Sequence, residues 1–132
     1  MGSRKNKLNA MKKNKPFSFK ARARSFQYAL EGLKQFVTSE HNAWLHLVAT
    51  IAVIVLSIAT HISKMEWMAL VIVIGFVWMA ELFNTAIEKI MDFISVEEQP
   101  QIKIIKDLSA AAVLIAAIIA LITGCFIFIP KL

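Results

Sequence analysis

The chain has 132 residues, enough for one domain, and 58% of them are hydrophobic against 18% charged. Soluble domains run near 45–50% apolar and about 25% charged, so the composition argues against a soluble globular protein, a disordered chain or a coiled coil. A lone cysteine, Cys125, excludes an internal disulfide or a cysteine-built metal site.

The net charge of +6 is unevenly placed: residues 1–34 hold ten of the fifteen Lys and Arg with one acid, Glu31. Residues 1–16 are basic and lack apolar periodicity, and read as a disordered tail ending at Pro16. No apolar core with a small-residue cleavage site follows directly, so a signal peptide is not expected. Over 17–38, Phe26, Ala29, Leu30, Leu33 and Val37 recur at helical spacing, with Lys20, Arg22, Arg24 and Lys34 supplying a basic polar surface. An amphipathic helix follows, lying at a bilayer interface or packed on the protein's own core.

Residues 44–62 carry no Asp, Glu, Lys or Arg. At about 1.5 Å per residue they reach across a hydrocarbon layer of about 30 Å, a first transmembrane helix. Residues 63–66 read as a turn, and 67–94 predict a second helix, apolar at first and then bearing Glu81, Asn84, Glu88, Lys89 and Asp92. The run exceeds one span, so its last turns should emerge. Residues 95–107 read as a polar connection broken at Pro100, and 108–129 as a third, uncharged span whose small residues 109–112 permit close packing. The fold class is all-α. The bases of residues 1–34 place the N-terminus in the cytoplasm and, after three spans, the C-terminus outside.

On the second helix Glu81, Asn84, Glu88 and Asp92 fall within an arc of about 80°, in a stripe about 16 Å long. A carboxylate such as Glu81 within a span is expensive, and by default marks a functional site; its hydrophobic setting suits a general base. The alternative is a buried acid paired for packing, but neither other span offers a Lys or Arg. Glu40 and Glu88 can supply hard oxygen ligands from two helices, the way Mg²⁺ is held by one or two carboxylates plus substrate phosphates. His41, His46 and His61 form no zinc pattern. His46 reads as a helix–helix hydrogen-bonding residue without a catalytic role. No Walker A or kinase glycine-rich loop is present.

The segment A-E-L-F-N-T-A-I-E-K-I-M-D at 80–92 resembles the signature E-x-x-N-S/T-A-I/V-E-x-x-x-D of the bacterial integral-membrane diacylglycerol kinase family, which includes undecaprenol kinases. Gly32-Leu33, Glu40 and the run Lys106 to Ile115 extend the likeness over residues 20 to 128. The resemblance implies three transmembrane helices, an amphipathic surface helix and a homotrimer with shared active sites. It also implies transfer of the γ-phosphate of MgATP to a lipid alcohol at the cytoplasmic face of the bacterial inner membrane. Carried over, Glu81 is the general base and Asn84 lies beside the reacting groups. Glu40 and Glu88 bind metal at the nucleotide. Tyr28, Glu97, Glu98, Gln99, Lys106 and Asp107 fall on nucleotide-contacting positions, and Asp92 completes the signature. The family's surface-helix arginine falls on Ala21, where Arg22 or Arg24 replaces it.

Diacylglycerol is the expected acceptor, giving phosphatidic acid. Undecaprenol is the alternative, since both are primary alcohols on apolar tails and Glu40-His41-Asn42 is similar to an E-x-N of undecaprenol-type members. An ion pathway lined by the acids is the rival from another class, weakened by the apolar outer half of all three spans. No nucleic-acid partner is expected. The topology predicts that a cysteine placed at residue 8 is shielded from an impermeant reagent in intact cells while one at 131 reacts; the reverse labelling would overturn it.

Overall fold

The computed structural model describes residues 16–97 and 99–132. Apart from Pro16, the expected tail lies outside the described residues, as does Glu98. Four α-helices follow in order: α1 (Phe19–Ser39), α2 (His41–Ala59), α3 (Lys64–Ile94) and α4 (Pro100–Phe128), then a 3-10 turn over Ile129–Lys131. Helices α2, α3 and α4 are each long and apolar enough to cross a membrane. The chain divides into two compact units between Lys34 and Gln35.

In the first unit, the Ala21 N–H donates to Ser18 Oγ at 3.4 Å at the start of α1. The Phe17 ring meets Phe19 edge-on at 5.0 Å and lies 5.6 Å from the Arg22 guanidinium. Phe26, Tyr28, Leu30 and Leu33 are exposed.

In the second unit, Glu40 is the extended residue that caps α2. Helix α2 stops at Ala59, three residues short of the span expected from hydropathy. There His61 takes a left-handed φ of 49°, and the N–H groups of Thr60, His61 and Ile62 close on the carbonyls of Leu56, Ile58 and Ser57. Helix α3 starts at once. Ser63 Oγ accepts from the Glu66 N–H and the Glu66 carboxylate accepts from the Ser63 N–H, a capping box that makes helix of residues 64–66, read from sequence as a turn.

Helix α4 begins eight residues before the expected third span. Pro100 was taken as a breaker, but it sits in the first turn, where its missing N–H costs no hydrogen bond and its fixed φ favours the helix. Lys103, Lys106 and Asp107 are therefore helical. At about 1.5 Å per residue α3 and α4 run about 46 and 43 Å, well beyond an apolar layer of about 30 Å.

Helices α3 and α4 form the most intimate pair of the second unit. At the Ser63 end, Ile62, Leu70, Val73, Ile127 and Phe128 make a small core with Val53 and Trp67 against it, and Lys131 Nζ reaches Glu66 at 3.1 Å. Most other large apolar side chains of the three long helices are exposed, Leu45, Val55, Phe76, Phe83 and Leu121 among them. Helix α2 is held to α3 by fewer links. Trp78 Nε1 donates to Thr50 Oγ1 at 3.0 Å and Lys89 Nζ meets the cap residue Glu40 at 2.7 Å, while the Trp78 ring meets Phe36, near the end of α1, edge-on at 6.1 Å.

The Lys89 hydrogen bond holds the Glu40 carboxyl below its ordinary value of 4.5, against a smaller opposing effect of burial. A lowered folded-state value means stabilisation that is present above the unfolded value and lost as pH falls through the folded one. Lys89 is more than half exposed, so the pair contributes at most about 1 kcal/mol. Lys89→Gln should lower thermal stability by that amount at pH 7, and the gap to the parent protein should narrow as pH falls below the ordinary carboxyl value and Glu40 takes up its proton.

Candidate active site

The α3 stripe is built as its periodicity requires. Glu81 is 2% exposed, Asn84 and Thr85 are buried, Glu88 is half-buried and Asp92 is exposed. Each of these acids and the amide has a defined neighbour. His46 Nε2 of α2 lies 3.7 Å from the Glu81 carboxylate, within ion-pair range but longer than a hydrogen bond. Ser109 Oγ of α4 donates to Asn84 Oδ1 at 2.7 Å, and Asn84 Nδ2 donates to Glu88 at 3.2 Å. Asp92 pairs with Lys106 of α4.

These contacts give the stripe two flanks. Helix α2 covers Glu81 and helix α4 covers Asn84, so the polar face of α3 is turned from lipid by one neighbour on each side. The Ser109–Asn84–Glu88 chain fixes the amide orientation, because an ionised Glu88 needs the N–H side of Asn84 toward it. Glu81, in contrast, retains lone pairs for a ligand, being met by a single imidazole.

Beyond the stripe, Asp92, Ser95, Val96, Glu97, Ile102, Lys103, Lys106 and Asp107 line a charged cleft of about 280 Å³ between the end of α3 and the start of α4. It brings together three expected nucleotide contacts: Glu97, Lys106 and Asp107. Asp107 pairs with Lys103 one helical turn away. The Glu97 N–H donates to Ser95 Oγ at 3.1 Å in the turn. Gln99 is the extended residue before α4 and makes no side-chain cap. Tyr28 is exposed on α1 in the first unit.

Glu40, an expected metal ligand, is engaged by Lys89 and accepts from Ser39 Oγ at 3.3 Å. Among the described residues no group of three or more His, Cys, Asp or Glu side chains could hold a metal ion. Two separate carboxylates suit a divalent cation that arrives bound to phosphates, not a resident cage.

On the other side of Glu81 an apolar cleft of about 490 Å³ runs between α2, α3 and α4. It starts at His46 and Thr50 and continues past Val53, Trp78, Ala117 and Leu121 toward Ile129. One end therefore holds the imidazole that meets the base candidate, and the rest is mainly hydrocarbon-like.

Sequence reasoning missed three contributors. His46 was read as an ordinary helix–helix contact, and the absence of Lys and Arg from the other spans hid that an imidazole would meet Glu81; its presence in an otherwise apolar span was the available signal. Ser109 was read only as a small residue. The Lys89–Glu40 pair has no local signal, since its partners lie 49 positions apart.

The family model of prokaryotic diacylglycerol kinase matches residues 27–128. The chain is 38% identical over 109 residues to an undecaprenol kinase of Bacillus subtilis (strain 168), covering 83% of this chain and 89% of that one. It is 33% identical over 109 residues to a diacylglycerol kinase of Synechocystis, covering 82% and 62% respectively. With a membrane-type helix trio and a buried acid stripe already in place, a match over this much of its length means that the chain belongs to the prokaryotic diacylglycerol kinase family, a family of lipid kinases.

Proposed function

We propose that the chain transfers the γ-phosphate of MgATP to the hydroxyl of a membrane lipid alcohol, at the cytoplasmic face of the bacterial inner membrane. The observation that carries this reading is Glu81. It is a carboxylate 2% exposed in a membrane-length helix, met by one imidazole, at the edge of an apolar cleft and on the same stripe as acids near a charged cleft. Its place between an apolar seat and a phosphate-sized polar cleft suits a substrate that is half lipid and half phosphate acceptor.

In this mechanism Glu81 takes the proton of the lipid hydroxyl as its oxygen attacks the γ-phosphorus. The Asn84 amide, locked by Ser109, holds the neighbouring Glu88 in place. Glu40 and Glu88 would hold Mg²⁺, which neutralises charge on the phosphates when bound. Lys106, together with Glu97 and Asp107 in the charged cleft, binds the nucleotide, with Gln99 beside them, and Asp92 orients Lys106; the family resemblance adds Tyr28 and Glu98 as nucleotide contacts. The lipid tail lies along the apolar cleft, and α1 lies on the membrane surface as an amphipathic helix.

Undecaprenol is favoured as acceptor by the 38% identity to an undecaprenol kinase over 89% of its length and by Glu40-His41-Asn42. Diacylglycerol is the second reading, favoured by the family model and the Synechocystis relative. The many exposed apolar side chains leave room for a trimer in which subunits share sites. Mixing inactive Glu40→Gln and Glu81→Gln proteins should then restore part of the activity; no recovery after proven subunit exchange would put each site within one chain.

The direct test is transfer of labelled phosphate from ATP to undecaprenol and to diacylglycerol. Glu81→Gln should lower turnover about 10²–10⁴-fold, the usual worth of a general base, while nucleotide binding persists. Thermal stability should hold or rise, because a costly buried carboxylate becomes a neutral amide. A near-normal rate for Glu81→Gln would overturn the base role.

A further inference from the structure

A base that is 2% exposed must lose its proton after every turnover, and burial that favours lipid chemistry also cuts it off from water. We propose that His46 is the proton outlet of Glu81: it accepts the proton that Glu81 has taken from the lipid hydroxyl and hands it to solvent. The inference rests on the base reading of Glu81. In this scheme His46 lines the mouth of the lipid cleft but meets no reacting atom of lipid or nucleotide. It is a positioning residue that acts through Glu81.

Geometry singles it out. Among the described residues His46 is the ionisable side chain found in contact with Glu81, at 3.7 Å, and the two differ in burial: the Glu81 side chain is 3% exposed and the His46 side chain 22%. His46 is thus the more open of the two, at the mouth of the cleft and about one and a half turns into α2 from its first residue, His41. A shift of about 1 Å brings Nε2 to hydrogen-bonding distance, which a side-chain torsion supplies.

The backbone beneath His46 is anchored. Its carbonyl accepts from Thr50 Oγ1 at 2.7 Å, and that oxygen accepts from Trp78 Nε1 at 3.0 Å. Thr50 lies one turn after His46 on α2, and Trp78 one turn before Glu81 on α3. The two rungs, Thr50–Trp78 and His46–Glu81, fix the register of the antiparallel helices and keep the imidazole level with the carboxylate.

Among the described residues the other titratable groups of the neighbouring helices, His41 at the start of α2 included, are not found in contact with Glu81. From α3, Glu81 faces the imidazole. From α4, the cleft that His46 lines presents Ala117, Ala120, Leu121, Gly124 and Cys125, of which the thiol alone titrates. On α2, residues 47–60 hold no ionisable side chain, and Glu40, the nearest acid before it, is engaged by Lys89. Glu88 is two turns beyond Glu81 and receives Asn84. An imidazole can take a proton on one ring nitrogen and release one from the other.

The step balances. The lipid O–H bond breaks and its proton goes to Glu81, while the oxygen–phosphorus bond forms and the bond from the γ-phosphorus to ADP breaks. The proton then moves from the Glu81 carboxyl to Nε2, leaving carboxylate beside imidazolium, and the imidazolium releases it to water.

The test uses the full-length protein in lipid micelles with ATP and the acceptor that the parent protein phosphorylates. His46→Gln and His46→Ala are measured beside Glu81→Gln for kcat, KM and pH profile. Both His46 variants should lose about tenfold or more in kcat, toward the lower end of acid–base contributions, with KM for ATP and lipid within about twofold. Added imidazole should restore His46→Ala severalfold, more so with rising pH as its free-base form accumulates, and should do nothing for Glu81→Gln. Normal turnover in both His46 variants while Glu81→Gln is inactive overturns the outlet and leaves the base standing. A kcat loss that imidazole does not relieve, with the parent pH profile retained, assigns His46 a packing role and overturns it equally. A Glu81→Gln protein with near-normal turnover removes the base reading itself, and the outlet falls with it.

Discussion

A carboxylate placed in a membrane-crossing helix cannot be left facing hydrocarbon, and the arrangement of the second unit follows from that constraint. Glu81 lies 13 residues before the last residue of α3 and its side chain is buried. Removing it from lipid needs neighbours, and polar ones, because an unpartnered buried charge is strongly destabilising. Helix α2 supplies His46 and helix α4 supplies Ser109 to the adjoining Asn84. The stripe thus does more than carry chemistry; it dictates which faces of α2 and α4 turn toward α3.

The two ends of the long helices are secured by different physics. At the Ser63 end the turn is closed by backbone hydrogen bonds and a capping box, and a small apolar core involves both ends of the α3–α4 pair. Its polar groups are tied up locally, in the capping box and the Lys131–Glu66 pair, which suits rigidity. At the other end α3 and α4 outrun the apolar layer and are linked by Lys106–Asp92, with Glu40–Lys89 tying in the start of α2. Solvent-reached ion pairs of this kind contribute little to stability and exchange partners readily, as the proposed entry of a charged nucleotide there would require. The apolar cleft on one side of Glu81 and the charged cleft on the other reflect the same division.

Much of this was legible because the signals were local. Hydropathy over spans of about 20 residues marked the three long helices, and a period near 3.6 put Glu81, Asn84, Glu88 and Asp92 on one face. Boundaries were less legible where a polar run had two meanings. Ser63-x-x-Glu66 looked like a turn until the capping box formed, and Pro100 looked like a breaker until it took the first turn of α4. Both errors share a cause: hydropathy detects the apolar layer, whereas a helix begins wherever its orphan N–H groups find a partner or need none.

By itself, then, the sequence determined what depends on nearest neighbours along the chain: the all-α class, three membrane-length helices, the facing of the acid stripe, and through the signature at 80–92 the family. Only the tertiary structure decided which side chains answer the stripe. That His46 meets Glu81, that Ser109 orients Asn84, and that Lys89 holds Glu40 all depend on the rotation and register of α2 and α4 against α3. Those are fixed by packing between residues 25 to 49 positions apart, and no spacing within a single helix encodes them, because helical periodicity gives the direction a side chain faces but not what stands opposite.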